Sequence, residues 1–480
     1  MATQRARREF LERVWRYGAT AAATPTLAGL ARWSWARPED RHLALNDWKA
    51  YGYGPLVRSP DCPEFEIPET FKVVRISEAL RPAAGRPGLT VPNAFDGMAA
   101  FPLRNGNVRL IRNHEMTDAA ADGRAIGAPA YDPRASGGTS SLEVRIGGRG
   151  MNRSVEVIEE FVSLAGTRVN CAGGPTPWGS WLSAEENCHG LAQGFTRPHG
   201  YVFEVPAEAR STVSPVALTA MGRFVHEAVA VDPRTGIVYE TEDAWYDPSD
   251  PTKPGAGFYR FIPKRRDHLA EGGRLQILAI EGRPGFVTAR DLMPGTTLPA
   301  RWIDIESPDP AAAESDASTV LREGLAKGAA VFARLEGAWA GDGGIYIVST
   351  NGGNARAGQV FFYQPVDDVE GRLTLVFESP SPAVLDAPDN IVRTPRGGLV
   401  ICEDGSADQY VRGLDRSGRI LDLVRHPVVE GRPGPREFAG ACFSPDGDVL
   451  FFNVQGSATV TGTNASVTYA MWGPWADGPL

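Results

Sequence analysis

The residues best suited to chemistry lie in one stretch, 170–187, which reads NCAGGPTPWGSWLSAEEN. It holds the thiol of Cys171 and the adjacent carboxylates of Glu185 and Glu186. Its glycines and prolines exclude a helix across the first half and predict tight turns, followed by a short strand at 181–183 that ends at the two acids. A thiol on a turn and carboxylates at a strand end can converge on one metal ion. The alternative is a buried cysteine beside a solvated pair of glutamates.

Polar tips of this kind recur at the ends of other predicted strands. Each unit consists of a strand, a turn with proline or glycine, a second strand and an acidic or amide tip. The tips carry Asn113, Glu115, Glu185, Glu186, Glu227, Glu240, Glu242, Asp243, Asp389, Glu403 and Asp404. Any one of these residues is better explained as a solvated loop residue. Gathered at one place, however, so many carboxylates would repel each other unless cations neutralised them.

The ligand types indicate which cations would fit. Carboxylate and amide oxygens suit calcium and also trivalent iron or manganese, and the thiolate of Cys171 would favour a transition metal. Histidine is scarce, because the chain has seven and only His114 and His226 stand at tips. That scarcity disfavours the usual histidine-rich zinc chemistry.

One arginine accompanies this set of acids. In the segment 332–337, which reads FARLEG, Arg334 and Glu336 share a face if the segment is a strand. An arginine among acids is either a structural ion-pair partner or an anion clamp. With cations balancing the acids, Arg334 would be free to hold a phosphate. The sequence shows no phosphate-cradling P-loop, no GxSxG elbow and no Ser-His-Asp order.

The tips need a fold that gathers them. Those at Asn351, Glu403 and Asn453 are 52 and 50 residues apart, and a longer gap before Asn351 indicates an insertion at about 267–327. Units near fifty residues with about four strands each are typical of propeller blades. We therefore predict an all-β, six-bladed β-propeller whose tips surround one mouth. The insertion is predicted to be mostly loop with a helix over 311–328, and a β-sandwich of hairpins is the alternative fold.

Composition and charge narrow the function classes. The chain has 480 residues, of which 42% are hydrophobic and 22% charged, and its 54 glycines and 38 prolines favour turns and short strands. The net charge is −9 without a basic run, which excludes nucleic acid as a specific partner and is compatible with cation binding. None of the five cysteines forms a CxxC pair, so a zinc ribbon is excluded. The odd number leaves at least one thiol outside any disulfide, and Cys171 is the candidate.

The N-terminus indicates export. Residues 7–11, RREFL, match the twin-arginine pattern RRxFL, and the weakly apolar stretch 18–30 is too short for a membrane span. We predict a twin-arginine signal region over 1–36, with the twin-arginine translocase as a partner during export. A single β-propeller domain is predicted over 37–480. An amphipathic N-terminal helix with chance arginines is the alternative.

Taken together, the motifs resemble those of the PhoX family of alkaline phosphatases. They are NHE at 113–115, CAGGPTPWGSWLSAEE from Cys171, HE at 226–227, YETED at 239–243, RLEG at 334–337, PDN at 388–390 and the C-terminal FSPDG and MWGPW. The resemblance covers about 110–475. It implies a six-bladed propeller, exported by the twin-arginine route, that uses two ferric and three calcium ions, bridged by an oxo group, to hydrolyse phosphate monoesters.

The resemblance also assigns roles to residues. Arg334 would clamp the phosphate, and the metal ligands would be Asn113, Glu115, Cys171, Glu186, Glu227, Glu242, Asp243, Glu336 and Asp389. A metal-bound oxygen would attack the phosphorus while Arg334 stabilised charge on the equatorial oxygens. We expect a monomer that is periplasmic or secreted and acts on small phosphate esters. Two other classes stay open: another calcium-dependent propeller hydrolase, such as a phosphodiesterase, phytase or lactonase, and a non-catalytic propeller that binds calcium.

Overall fold

The computed structural model describes residues 52–117, 123–429, 436–456 and 465–480. Within these residues the chain is all-β, with one short α-helix and several 3-10 turns. The predicted export signal lies outside the described residues. None of the described helices is long and apolar enough to cross a membrane.

Twenty-six strands, many of them joined by hairpin turns, make up most of the described chain. In chain order they are β1 (Leu56–Arg58), β2 (Glu66–Pro68), β3 (Lys72–Glu78), β4 (Phe95–Pro102), β5 (Val108–His114), β6 (Gly137–Gly147), β7 (Ser154–Thr167), β8 (Asn170–Pro175), β9 (Ser180–Glu185), β10 (Val202–Pro206), β11 (His226–Val231), β12 (Val238–Glu242), β13 (Phe258–Pro263), β14 (Gly273–Ile280), β15 (Thr297–Asp304), β16 (Leu335–Gly341), β17 (Gly344–Ser349), β18 (Gln359–Pro365), β19 (Glu370–Glu378), β20 (Pro388–Arg393), β21 (Leu399–Glu403), β22 (Gln409–Leu414), β23 (Ile420–His426), β24 (Phe438–Phe443), β25 (Val449–Val454) and β26 (Val467–Trp472). The helix α1 spans Thr319–Ala326, and the 3-10 turns lie at Gly150–Asn152, Leu191–Gln193, Thr219–Met221, Leu269–Glu271, Ala311–Glu314 and Trp475–Asp477.

These strands form five antiparallel sheets among the described residues. The sheet orders are β4-β5-β6-β7, β8-β9-β10, β11-β12-β13-β14-β15-β19-β18-β17-β16, β20-β21-β22-β23-β2-β1 and β24-β25-β26-β3. The nine-stranded sheet is two meanders, each starting from an end of the sheet, that join where β15 pairs with β19. The early strand β3 pairs with the last strand, β26, so residues far apart in the sequence share one sheet.

The first strand of each meander lies on the inside of the molecule. We call these strands, β4, β8, β11, β16, β20 and β24, the inner strands; each lies beside the next in that order, and β24 lies beside β4, so they form a nearly closed, barrel-like wall. Glycine permits the close approach. A Cβ on Gly97 of β4 would lie 2.6 Å from the Cα of Ala172 in β8, and one on Gly440 of β24 would lie 2.4 Å from the carbonyl oxygen of Asp96 in β4.

Apolar side chains fill the spaces between neighbouring meanders. In the largest sheet, for example, the rings of Trp302 and Tyr363 meet edge to face at 5.3 Å, and the ring of Phe258 lies 5.8 Å from Trp302. Both faces of most strands are therefore buried against apolar neighbours, and polar side chains that could do chemistry collect at the strand ends.

The segment 267–327 differs in part from the prediction. It does contain loop and the short helix α1, but it also contributes the eight-residue strands β14 and β15 to the nine-stranded sheet. The predicted helix over 311–328 is split into the 3-10 turn at Ala311–Glu314 and α1. The insertion is thus partly integrated into the sheet, because the apolar end of β14 is buried between β13 and β15.

Candidate metal centre

Each inner strand carries a β-bulge near its start, where two of its residues face one residue of the following strand. The bulged pairs are Asp96–Gly97, Cys171–Ala172, Glu227–Ala228, Glu336–Gly337, Asp389–Asn390 and Gly440–Ala441. Five of the six bulges begin with an acid or a thiol. A bulge re-aims the side chain of its first residue, so these five side chains are placed on a common end of the molecule. The prediction that Cys171 lies on a turn is wrong, because the residue is part of a bulge within strand β8.

A second set of polar residues follows the strands that pair with the inner strands. The residue directly after β5, β9, β12, β17, β21 and β25 is Glu115, Glu186, Asp243, Thr350, Asp404 and Gln455, respectively. These strands are antiparallel to the inner strands, so their last residues lie beside the bulges. The candidate site therefore takes one or two residues from each successive strand pair.

The two sets meet in three groups that can each hold a metal ion. The groups, whose ligand atoms lie within 4.8 Å of one another, are Asp96, Glu115 and Cys171; Cys171, Glu186 and Glu227; and Glu227, Glu336 and Asp389. Cys171 belongs to the first two groups and Glu227 to the last two. The three groups are therefore one continuous cluster, which we call the acid–thiol cluster.

The electrostatics of the acid–thiol cluster indicate bound cations. Both carboxylate oxygens of Glu227 and the Oδ1 of Asp96 are buried without a hydrogen-bond partner among the described residues. Burial, followed by repulsion from Glu336 and Asp389, raises the pKa of Glu227 well above its usual range. Burial likewise raises the pKa values of Glu115 and Asp389 to about 7. Buried acids that no protein group neutralises fit cation ligands, and this donor set of carboxylates with one thiol suits metal ions.

The thiol needs the same compensation. Burial, with repulsion from Asp96 and Glu227, raises the pKa of Cys171 well above that of a free cysteine. The thiolate is the form that binds metal, so a cation at this point would stabilise it. The backbone around it is already fixed, because the amide of Asn113 donates to the carbonyl oxygens of Cys171 at 3.0 Å and of Ala172 at 2.6 Å.

The predicted ligand Asn113 has a different set of contacts from the acids. Its Oδ1 accepts hydrogen bonds from the indole of Trp181 at 2.8 Å and the hydroxyl of Ser183 at 2.9 Å, so both lone pairs are engaged. The side chain therefore positions the Cys171 bulge and lies outside the three groups. Asn453 makes a related contact, since its amide donates to the carbonyl oxygen of Asp96 at 2.6 Å.

Arg334 lies directly beside the cluster. Its Nε and Nη2 each donate to Asp243 at 2.8 Å, and Nη2 also bonds Glu336. Although burial opposes it, these two acids raise the pKa of Arg334. Nη1 makes no hydrogen bond to the described residues, and 19% of the side chain is exposed. The residue has a left-handed backbone with φ of 47°, held by hydrogen bonds with Ala244 and Thr350. The guanidinium is thus fixed, charged and open on one side.

The structure brings most of the predicted residues together. Glu115, Cys171, Glu186, Glu227, Glu336 and Asp389 are in the three groups, and Asp243 reaches them through Arg334. Glu242, like Asn113, lies outside the groups. Its carboxylate accepts hydrogen bonds from the hydroxyl of Tyr259 and the N–H of Gly257, both at 2.8 Å, and burial raises its pKa to about 8.

Of the remaining acidic tips, Glu185 and Glu403 are held by the protein itself, whereas Glu240 lies 3.4 Å from the ring of His226 and accepts no hydrogen bond from the described residues. Glu185 accepts a hydrogen bond from the backbone of Arg168 at 2.8 Å and pairs with the ring of His199 at 2.6 Å. Glu403 pairs with Arg412 at 2.8 Å. In each pair of adjacent acids at a strand end, the first acid is held by the protein itself and the second lies in or beside the cluster. Alternation of side chains along a strand explains why neighbours face opposite ways.

Several residues of the site were not predicted as ligands or contacts. Asp96 belongs to the first group, and the amide of Gln455 donates to Asp96 at 2.5 Å and to Glu115 at 2.7 Å. Burial raises the pKa of Glu437, and repulsion from the nearby Asp404 and Asp389 raises it further. A sequence feature could have identified Asp96, because it is an acid followed directly by glycine, as Glu336 is. Nothing in the sequence around Gln455 and Glu437 marked those two.

Comparisons with known proteins agree with this arrangement. The family model for alkaline phosphatase PhoX matches residues 51–457, which is most of the chain. The structure of Pseudomonas fluorescens PhoX in complex with vanadate, a transition state analogue, is similar, with a TM-score of 0.65 at 18% identity over 90% of this chain and 99% of that one. Virginiamycin B lyase from Staphylococcus aureus is more distant, with a TM-score of 0.35 at 10% identity over 84% of this chain and 99% of that one. No curated protein matches the sequence. The chain belongs to the PhoX family of alkaline phosphatases.

Proposed function

We propose that this metal-dependent phosphatase hydrolyses small phosphate monoesters at the acid–thiol cluster, with Arg334 as the phosphate clamp. The observation that carries the proposal is the carboxylate of Glu227. It is buried, it lacks any hydrogen bond among the described residues, and it joins two of the three metal-ligand groups. The third group contains Glu336, which also bonds Arg334. An anion clamp and a cation cluster are therefore held side by side.

The ions that we propose are two ferric and three calcium ions. The residues that would hold them are Asp96, Glu115, Cys171, Glu186, Glu227, Glu336 and Asp389, with Asp243 and Asp404 close by. Bound cations would supply Lewis-acid polarisation of the phosphoryl group and would lower the pKa of the attacking water. The single thiol favours iron at the position shared by the first two groups, and the all-oxygen third group favours calcium.

Arg334 supplies what the acids cannot. Asp243 holds the guanidinium through two parallel hydrogen bonds, which fixes its plane. Nη1 is then available to donate to an equatorial phosphoryl oxygen, where charge accumulates in the transition state. Because Asp243 and Glu336 keep the arginine charged and oriented, no reorganisation is needed when substrate binds.

The fold and location that we propose are those of the sequence prediction. The six meanders that begin with the inner strands would be the six blades of a propeller, with the joined pair β15–β19 linking two of them. Residues 37–480 would form one domain and a monomer. Residues 1–36 would direct export through the twin-arginine translocase to the periplasm or beyond. A phosphodiesterase, phytase or lactonase, or a non-catalytic calcium-binding propeller, is not favoured for a member of this family.

Hydrolysis of p-nitrophenyl phosphate by the protein with its full metal content tests the function. We expect activity that a chelator abolishes and that iron with calcium restores. Chelator-resistant hydrolysis, or none by the fully metallated protein, would refute the proposal. A panel containing a phosphodiester, phytate and a lactone separates the other hydrolases.

Cys171→Ser tests the iron assignment. The variant should lose iron while keeping its strand content by circular dichroism. Cys62→Ser is the matched control, because the buried thiol of Cys62 lies in an apolar cluster outside the acid–thiol cluster and donates to the carbonyl oxygen of Val73 at 3.5 Å, which a hydroxyl can also bond. Iron that survives in Cys171→Ser at the level of Cys62→Ser would show that the thiol is not a ligand.

A further inference from the structure

One large aromatic side chain at the site is exposed. Trp245 is 55% exposed, and among the large apolar side chains that are exposed in the described residues it is the only aromatic one. Its indole N–H makes no hydrogen bond to the described residues. A tryptophan left in water gives up the stabilisation that burial of its large apolar surface would provide, which points to a role in binding.

The backbone beneath Trp245 is held firmly. The N–H of Gly255 donates to the carbonyl oxygen of Trp245 at 3.0 Å, and the N–H of Arg334 donates to that of Ala244, also at 3.0 Å. On the other side, the N–H of Asp243 donates to Val225 at 3.1 Å. The tryptophan is therefore presented on a fixed loop after β12, and its exposure is not the result of a loose segment.

The ring borders the phosphate clamp. The Cζ of Arg334 lies 5.2 Å from the centre of a Trp245 ring. The same guanidinium contacts Asp243 and Glu336 on its buried side. A phosphoryl group held between the acid–thiol cluster and Nη1 of Arg334 must direct its ester substituent away from the buried acids. The exposed side of Arg334, where Trp245 lies, is the direction left for it.

We infer that Trp245 is a platform for the leaving group, and that the enzyme favours phosphate monoesters with a flat, aromatic leaving group. The inference rests on the proposed phosphatase function. The ring would stack on the leaving group, and the indole N–H would remain available to a polar atom on it. Trp245 would therefore determine specificity without contacting the phosphorus.

A purely structural role makes a different prediction. If the ring served only to cover the guanidinium through a cation–π contact, its loss would disturb Arg334 and weaken every phosphate ester equally. A platform instead affects aromatic esters more than aliphatic ones. The two roles therefore differ in how the loss of activity on aromatic esters compares with the loss on aliphatic esters. Because each loss is measured relative to wild type on the same ester, the intrinsic reactivity of the ester cancels.

The experiment compares phenyl phosphate with ethyl phosphate in Trp245→Ala, Trp245→Phe and wild type, all with full metal content. We expect Trp245→Ala to lower kcat/KM for phenyl phosphate more than for ethyl phosphate, by a further threefold to tenfold or so, the size of one aromatic stacking contact. Trp245→Phe should keep most of the activity on phenyl phosphate that Trp245→Ala loses. Val369→Ala is the matched control, since Val369 is 64% exposed but lies in the turn between β18 and β19, at the strand ends away from Glu336. Equal losses on both esters, or no loss, would overturn the inference.

Binding provides a readout that does not depend on turnover. By calorimetry, phenylphosphonate should bind Trp245→Ala several-fold more weakly than wild type, with a smaller change for methylphosphonate. If wild type hydrolyses neither ester, the proposed function fails, yet this binding difference still decides the role of Trp245. Equal changes for both phosphonates would reject the platform.

Discussion

Two neighbouring residues at the end of β9 belong to buried acid sites that are stabilised in different ways. Glu185 bonds the ring of His199 at 2.6 Å and the backbone N–H groups of Gly200 at 2.8 Å and Tyr201 at 3.1 Å. Glu186 belongs to the acid–thiol cluster, whose member Glu227 is equally buried but accepts no hydrogen bond from the described residues. The first site is complete without any ion, and the second is not.

The difference separates structural carboxylates from cation ligands. Burying an ionised acid is costly unless hydrogen bonds or an opposite charge compensate it. The Glu185 site obtains both from the chain, with His199 also 3.7 Å from Asp132. In the acid–thiol cluster, by contrast, Arg334 is the one positive charge of the described residues that lies against many acids. A count of buried acids alone does not distinguish the two sites, and neither do hydrogen bonds alone, because Glu240 also accepts none from the described residues and yet lies outside the three groups. An uncompensated acid is a cation ligand where its oxygens also lie close to those of other ligands.

The largest expected effect is on activity. Glu227→Gln should reduce kcat/KM for p-nitrophenyl phosphate by about a hundredfold to a thousandfold, the range for removing one preorganised electrostatic contact. It should also lower the metal content measured by plasma mass spectrometry. Glu185→Gln is the matched control, with the same chemical change two strands away, and should keep its metals. Loss of metal from both variants alike would remove the distinction between the two sites.

For the free energy of unfolding, Glu185→Gln should be the more damaging of the two variants. In metal-free protein, Glu185→Gln should lower the free energy of unfolding by about 2–4 kcal/mol, because it breaks a buried, hydrogen-bonded charge pair. Glu227→Gln should raise it by about 1 kcal/mol, since removing an uncompensated acid relieves repulsion. Urea unfolding monitored by fluorescence measures both. Destabilisation by Glu227→Gln without metal would mean that its carboxylate is compensated after all.

An intermediate effect is expected where hydrogen bonds position the cluster. Asn113→Ala removes the donor to the carbonyl oxygens of Cys171 and Ala172 and leaves the indole of Trp181 unpaired. We expect metal affinity to fall by about tenfold to a hundredfold, as is typical for residues that orient ligands. Competition with a chelator measures the change. Complete loss of metal would instead identify Asn113 as a direct ligand.

The smallest effect concerns pH. Although burial opposes protonation, the ion pair with Glu185 raises the pKa of His199 above its unfolded value near 6.5. Its contribution to stability is therefore complete below about pH 6.5 and is lost as pH rises through the folded pKa. The difference in unfolding free energy between wild type and His199→Gln should shrink from pH 6 towards pH 9. A difference that grows with pH would contradict the protonated pair.

Part of the site followed from the sequence because its chemistry is local. Cys171 and tips such as Glu227 combine metal-ligating types with strand ends, and the resemblance to the PhoX family gave nine predicted ligands, of which six fall in the three groups. Asp96 was missed although it lies on the same kind of bulge. A bulge depends on how a strand pairs with its neighbour, which one strand's sequence does not specify.

Residue types, their alternation along strands and the recurrence of polar tips were determined by the sequence alone, and they sufficed for an all-β chain with a metal-binding character. Only the tertiary structure decided which acid of each adjacent pair joins the cluster. The compensating groups come from distant positions, as His199 does for Glu185 and Arg412 for Glu403. Whether a buried carboxylate needs a cation depends on those neighbours, and they are brought to it by folding.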